Sequence, residues 1–126
     1  MATTKTDIRP ATQSLHGHMI GCTWATLGSG DSGNPSTDVN HADRSVQITN
    51  VSGGIGAVAI QGTNDDCELL DPASCNWYAL HDLQGNSLGA LATAGIYQIA
   101  EVTRGIRPTQ TGGGVNAVTL VGRASI

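Results

Sequence analysis

Four carboxylates crowd one segment of the chain, at Asp65, Asp66, Glu68 and Asp71. Carboxylate oxygens gathered on a loop are the ligands that calcium prefers. Their spacing does not follow the EF-hand pattern, so a solvated acidic loop is the favoured interpretation. We therefore expect no metal ion and no other cofactor in this segment.

A histidine pair is the second feature with possible metal chemistry. His16 and His18 are two residues apart, so in a strand both side chains would lie on one face of a sheet. A zinc site needs further ligands, and His41, His81 and Cys22 are the candidates. None of them has a supporting spacing. The pair is better interpreted as a solvent-exposed or subunit-contact feature.

Ser32 lies in the segment Gly30-Asp31-Ser32-Gly33-Asn34-Pro35, which resembles the nucleophile segment of chymotrypsin-type proteases. In those enzymes backbone amides hold an oxyanion and a distant histidine accepts the serine proton. Here only His16 and His18 precede Ser32, and the chain is too short for the two barrels of such an enzyme. Gly, Asp, Ser and Asn are the usual residues of turns. We expect a turn here and no enzyme activity, because a serine hydroxyl without a base is a poor nucleophile.

The chain has three cysteines, Cys22, Cys67 and Cys75, and an odd number is not typical of a disulfide framework. Cys67 and Cys75 enclose a short loop and would pair only under oxidising conditions. Because cytosolic thiols stay reduced, two free thiols are the favoured interpretation. The sequence leaves the pairing open.

Length and composition limit the class of protein. A chain of 126 residues is one domain, and 17 Gly, no Phe and 13% charged residues disfavour long helices and imply a neutral, polar surface. A net charge of −4 argues against nucleic acid and anionic membranes as partners, since both need clustered Lys and Arg. No segment resembles a membrane span or a signal peptide, so we expect a soluble protein made in a cytoplasm.

The elements that position these residues are short strands separated by Gly, Asn and Pro. Val46 and Ile48, for example, alternate with Gln47 and Thr49 at the period of a half-buried strand. The predicted strands are residues 15–24, 44–51, 56–63, 76–81, 95–102, 106–109 and 116–123, and residues 88–94 form either a helical turn or another strand. This pattern predicts an all-β fold, a single antiparallel β-sandwich or jelly-roll domain over residues 15–126, with no helix longer than about two turns.

The apolar residues of these strands predict the core. Trp77 is included because a core without Phe needs its few large aromatic side chains. The predicted core residues are Val46, Ile48, Val58, Ile60, Trp77, Leu80, Ile96, Ile99, Val118 and Leu120.

Residues 1–14 are polar, rich in Thr and without apolar alternation, so they predict an extended N-terminal arm outside the sandwich. Such an arm becomes ordered on a partner or a neighbouring subunit rather than on its own core. Lys5 and Arg9 are two of only six basic residues and would meet acidic groups there, while most of the affinity would come from backbone hydrogen bonds.

Several longer motifs follow one another along the chain between residues 24 and 123. They are Trp24…Leu27…Gly30-Asp31-Ser32-Gly33-x-Pro35, Ala42-Asp43-Arg44-Ser45-Val46-Gln47, Gln61-Gly62-Thr63-Asn64-Asp65, Trp77…Leu80…Asp82-x-Gln84-Gly85-Asn86, Ala94-Gly95-Ile96 and Arg107-Pro108-x-x-Thr111-Gly112-Gly113. Together they resemble a family of small virion proteins of tailed bacteriophages, whose members are head decoration or cement proteins.

The resemblance implies a homo-oligomeric β-sandwich, a trimer rather than a dimer, on the outside of a capsid that is assembled in the host cytoplasm. Its partner would be the major capsid protein, contacted through the arm residues Lys5, Ile8, Arg9 and Pro10. A neck or tail component is one alternative. A carbohydrate-binding module with Trp77 and Tyr78 as a stacking platform is the other, because residues 61–65 followed by Trp77 also resemble discoidin-type sandwiches. The longer loop between Asp66 and Asn76 departs from that pattern.

Overall fold

The computed structural model describes residues 2–3, 5–8, 19–37 and 43–123, which consist mainly of β-strands. The strands are β1 Ala2–Thr3, β2 Lys5–Ile8, β3 Met19–Leu27, β4 Ser32–Gly33, β5 Arg44–Ser52, β6 Ala57–Thr63, β7 Tyr78–Ala79, β8 Gly95–Ile99, β9 Gly105–Thr111 and β10 Val115–Arg123. Within these ranges the helical structure is limited to one 3₁₀ turn, Pro72–Ser74. The described part of the chain contains no helix long and apolar enough to cross a membrane.

Two five-stranded sheets pack against each other. The first sheet has the order β1-β4-β9-β6-β7, and the second has the order β2-β3-β10-β5-β8. Every neighbouring pair is antiparallel except β1 with β4. The prediction of an all-β sandwich is confirmed, and within the described residues no helix exceeds two turns.

The inner faces of the two sheets form the core because apolar residues occur at every second position of the long strands. In the second sheet, Val118 of β10 lies opposite Trp24 of β3 and Ile48 of β5. All three side chains are buried. β10 therefore forms the centre of its sheet, and its alternating residues divide cleanly between core and surface.

Most of the predicted core is buried, with two exceptions. Ile96 is 69% exposed, because Tyr97 and Ile99 are the β8 residues whose side chains point inward. Trp77 is only half-buried, since it precedes the short edge strand β7 and lies beneath Arg107. The buried apolar residues that the prediction missed are Cys22, Trp24, Leu27, Cys67, Cys75, Leu88 and Ile106.

The N-terminal residues differ from the predicted arm. Ala2–Thr3 pairs in parallel with Ser32–Gly33, and Lys5–Ile8 pairs with β3 from Trp24 to Gly21, so both segments are edge strands of the sandwich itself. Backbone pairing at an open sheet edge needs no apolar periodicity, which is the signal that the prediction used. Residues 9–14, including Arg9 and Pro10, lie outside the described residues.

The strand boundaries also differ from prediction in places. The first long strand is Met19–Leu27 rather than residues 15–24, and residues 76–81 contribute only Tyr78–Ala79. Residues 88–94 form no helix. Instead, the backbone of Leu88 and Leu91 bonds to β6, with Ile60 N donating to Leu88 O at 2.9 Å.

Candidate functional site

The Ser32 segment forms a turn followed by the short strand β4, which pairs with β1 and β9. The Asp31 carboxylate accepts a hydrogen bond from Gly28 N at 2.9 Å, and Asp31 N donates to Gly28 O at 3.0 Å. At Gly33 a Cβ would lie 2.6 Å from Trp24 Nε1 and from Pro108 Cδ, so the close packing on the buried indole requires glycine. The arrangement explains the segment by packing alone.

His81, the one histidine within the residues that the structure describes, is far from Ser32. His81 follows β7, and β9 and β6 lie between β4 and β7, so the two residues are separated by at least about 14 Å at ordinary strand spacing. His16, His18 and His41 lie outside the described residues, as does the predicted histidine pair. The expectation that Ser32 is not catalytic stays a prediction.

The carboxylates of the acidic loop bind the loop's own amides. Asp66 Oδ1 accepts hydrogen bonds from Glu68 N at 3.2 Å and Leu69 N at 3.3 Å, and Asp71 Oδ1 accepts one from Ala73 N at 3.0 Å. Over the described ranges, no three His, Cys, Asp or Glu side chains converge as metal ligands would. These carboxylates therefore serve to fold the loop.

Both loop cysteines are free thiols and are buried. Burial raises the pKa of Cys67, and the neighbouring Cys75 raises it further. The Cys67 sulfur packs over Gly105, where a Cβ would lie only 2.4 Å from Sγ. Cys67 thus anchors the acidic loop to the start of β9.

A groove opens at the β7 edge of the first sheet, with a volume of about 390 Å³. We call it the edge groove. Its floor includes Gly62 and Leu80, and at Gly62 a Cβ would lie 2.8 Å from Leu80 Cδ2 and 2.9 Å from Thr103 Oγ1. Only glycine lets these groups close over the backbone. Tyr78 forms the rim and is 70% exposed.

One wall of the edge groove is an aspartate–asparagine pair next to Asn64. Asp65 Oδ2 accepts hydrogen bonds from Asn76 N at 2.7 Å and from Asn76 Nδ2 at 3.2 Å. The backbone hydrogen bond from Asn76 lowers the pKa of Asp65. Asp65 is therefore ionised at neutral pH.

A second wall of the edge groove includes Glu101 and Thr103. The Glu101 carboxylate accepts a hydrogen bond from His81 N at 2.8 Å and lies 2.7 Å from His81 Nδ1. Although burial opposes ionisation, these contacts lower the pKa of Glu101. This wall is also anionic at neutral pH.

A buried arginine holds the second wall from behind. The guanidinium of Arg44 donates hydrogen bonds to the backbone oxygens of Glu101 and Thr103. Burial lowers the pKa of Arg44 to about 10, while the Glu101 charge acts in the opposite direction. Arg44 is thus charged at neutral pH and fixes this wall to β5 of the second sheet.

The two neighbouring aromatic residues, Trp77 and Tyr78, differ in how much of each ring is covered. Trp77 Nε1 donates to Pro72 O at 2.9 Å, and the Arg107 guanidinium lies 4.3 Å from the centroid of the Trp77 ring. These contacts tie Trp77 to the loop and cover it, so it is neither fully buried nor an open stacking platform. The adjacent Tyr78 is the exposed aromatic ring.

The second sheet presents a different surface, which we call the outer face. Its side chains alternate with the buried ones and are Thr23, Ser45, Gln47, Thr49, Ile96, Gln98, Ala117, Thr119 and Val121. Strand register places Thr23, Thr119, Gln47 and Ile96 in one row across the sheet. The hydroxyl oxygens of Thr23 and Thr119 are hydrogen-bonded at 3.1 Å.

The described side chains of the outer face are uncharged. Among the described side chains of β3, β5, β8 and β10, the one charged group is Arg44, and it points into the core. Such a wide neutral area is unusual on a protein surface, where charged side chains are common.

Sequence reasoning found parts of these surfaces. It singled out Asn64, Asp65 and Tyr78, but Glu101 and Thr103 gave no local signal because β-pairing brings them to the groove from a distant segment. The outer face was readable in principle from strand alternation and low charge. No protein-family model and no curated protein sequence matches this chain.

Proposed function

We propose that this protein is a structural virion protein, not an enzyme, that decorates and stabilises the outside of a tailed-phage capsid by binding the major capsid protein. The uncharged outer face of the second sheet is the observation that carries the proposal. The cores of protein–protein interfaces are depleted of charged residues, and this face meets that requirement across four strands.

The chemistry of the outer face suits broad attachment to a protein shell. Exposed Ile96 supplies an apolar contact, while Gln47 and Thr49 supply hydrogen-bonding groups without the cost of burying charge. Each contact of this kind is weak. When copies are linked in a homo-oligomer, the second and third attachments become intramolecular and raise retention on the particle.

Partner and location follow from the same proposal. The protein would be homo-oligomeric, a trimer rather than a dimer, on the capsid exterior. Neither nucleic acid nor a membrane would be a partner, and the net charge of −4 supports the exclusion of both. Lys5 and Ile8 of β2, together with Arg9 and Pro10, would extend the capsid contact. A neck or tail location differs from this proposal in copy number.

Reconstitution on capsids lacking the protein tests the outer face. Gln47→Glu places a charge in the middle of the face, and we expect half-maximal capsid occupancy to require at least about tenfold more protein. Gln84→Glu makes the same change on an exposed loop residue and serves as the matched control. Both variants should keep the wild-type melting temperature.

The result has two readings. Loss of occupancy with Gln47→Glu alone supports attachment through the outer face. Equal decoration by wild type, Gln47→Glu and a second face variant, Thr119→Lys, would show that another surface binds the shell.

A further inference from the structure

We infer that the edge groove binds a neutral sugar residue. The inference is independent of capsid attachment, because the groove lies on the first sheet and the proposed attachment surface on the second. It depends on three properties of the groove, which are its shape, its exposed aromatic rim and its mixture of hydrogen-bond donors and acceptors.

The shape suits a small ring. A volume of about 390 Å³ falls within the usual range of ligand sites, which is roughly 300–1,000 Å³. At Gly62 the floor has no side chain, and Leu80 and Thr103 close over it too tightly for a Cβ. Gly62 and Leu80 are themselves buried, so a ring in the groove would lie against the exposed side chains of its lining.

The rim supplies a stacking surface. Tyr78 is 70% exposed, and within the described residues its hydroxyl has no hydrogen-bond partner. The C–H face of a pyranose is apolar, and an aromatic ring with a polar tip can cover that face while bonding a hydroxyl. The exposed ring at the rim is therefore placed where it can contact a ligand in the groove.

The polar groups match vicinal hydroxyls, which both donate and accept hydrogen bonds. Asn64 Oδ1 accepts from Arg104 N at 3.3 Å, and the amide nitrogen of Asn64 has no partner among the described residues. Thr103 Oγ1 donates to Gly105 O at 3.1 Å and keeps its lone pairs as acceptors. Asp65 and Glu101 add carboxylate acceptors on the two walls.

The charges define which sugar is accepted. Both wall carboxylates are ionised at neutral pH, so uronic and sialic acids are repelled. The nearby arginines lie outside the lining of the groove: Arg44 bonds the backbone behind Glu101, Arg104 pairs with Asp66 at 3.8 Å, and Arg107 covers Trp77. Each carboxylate is held in place by a hydrogen bond from the protein, from Asn76 N and His81 N, and keeps lone pairs that can accept a bond from a sugar hydroxyl.

Titration of the ¹⁵N-labelled full-length protein tests the inference. The probes are methyl β-glucoside and methyl β-galactoside, with methyl β-glucuronide as the anionic match and methyl β-glucosaminide as the cationic match. We expect saturable amide shifts in residues 62–65 and 76–80 with at least one neutral probe, and binding of the anionic probe weaker by at least about tenfold.

Variants complete the experiment. Tyr78→Ala and Asn64→Ala should each weaken the neutral probe by about tenfold while the spectrum elsewhere stays unchanged, and Leu83→Ala, an exposed residue outside the groove, should bind as wild type. A comparison of the affinity for dextran with the affinity for a mucin glycoprotein would then identify the source of the sugar. The inference is overturned by the absence of saturable shifts with both neutral probes, by wild-type affinity in Tyr78→Ala and Asn64→Ala, by equal affinity for the glucuronide, or by preference for the glucosaminide.

Discussion

The outer face and the edge groove are built from the same sandwich in opposite ways. The outer face takes side chains from four neighbouring strands whose pairing is regular, and all of them are neutral. The edge groove forms beside β7, the edge strand of the first sheet, which has only two residues. Loops therefore supply the walls of the groove and carry the ionised carboxylates. A long regular sheet produces a broad neutral surface, whereas a truncated edge produces a polar cavity.

The largest effect should come from the core beneath the outer face. Leu120 is buried on the inner side of β10, and Leu120→Ala should lower the free energy of unfolding by about 2–5 kcal/mol. Ile96→Ala on the outer face is the matched large-to-small change at an exposed position and should stay within about 0.5 kcal/mol. Urea denaturation measures both, and similar losses would mean that Ile96 is part of the folding core.

Removal of residues 1–8 tests the edge of the sheet that carries the outer face. The deletion takes away β1 and β2 and leaves β3 unpaired on one side, so we expect a loss of about 1–4 kcal/mol at 0.5–1.5 kcal/mol per hydrogen bond. Removal of residues 1–3 alone should cost less. An unchanged melting temperature after the longer deletion would mean that these residues do not stabilise the sandwich and form the separate arm that the sequence predicts.

A smaller effect is expected on the groove side, where Cys67 packs over Gly105. Gly105→Ala would place a Cβ 2.4 Å from the Cys67 sulfur and should cost about 1–3 kcal/mol. Combining it with Cys67→Ala removes the obstructing sulfur, so the double variant should lose less than the sum of the two single losses. Strict additivity in thermal denaturation would show that the two residues are not in contact.

Acid should act on the loop side of the molecule first. Backbone hydrogen bonds from Asn76 and Asn86 lower the folded-state pKa values of Asp65 and Asp82 below 3.8. Their stabilisation is therefore present above about pH 3.8 and is lost as the pH falls through the folded pKa values. Melting temperature should decline less steeply below pH 4 in Asp65→Asn and Asp82→Asn, whereas Thr49→Val on the outer face should follow the wild-type curve.

How far the sequence predicts this molecule depends on how regular each element is. In β5, β6 and β10 a large apolar residue recurs at every second position of the strand centre, and their predicted limits lie close to the observed ones. In β3 the pattern is broken by a register shift opposite Asn116 and Val118, so Trp24 and Leu27 were missed as core residues. The edge strands β1, β2 and β7 are held by backbone pairing, which leaves no periodic signal in the side chains.

The candidate surfaces show the same limit. Alternation and low charge are local properties, and they contain the information needed for the outer face. The edge groove depends on Arg44 of β5 holding Glu101 and Thr103, and on β6 pairing with β7, which are contacts between segments far apart in sequence. Local patterns could identify Asn64 and Asp65 but not Glu101 and Thr103 of the second wall.

Copy number per purified virion tests the central claim most directly. Quantitative mass spectrometry against the major capsid protein gives the ratio without any variant or label. A capsid decoration protein predicts hundreds of copies, in fixed proportion to the capsid protein because the shell repeats one binding site by symmetry. Roughly a dozen copies or fewer, as expected for a ring at the neck or tail, or absence from the particle, would contradict capsid decoration.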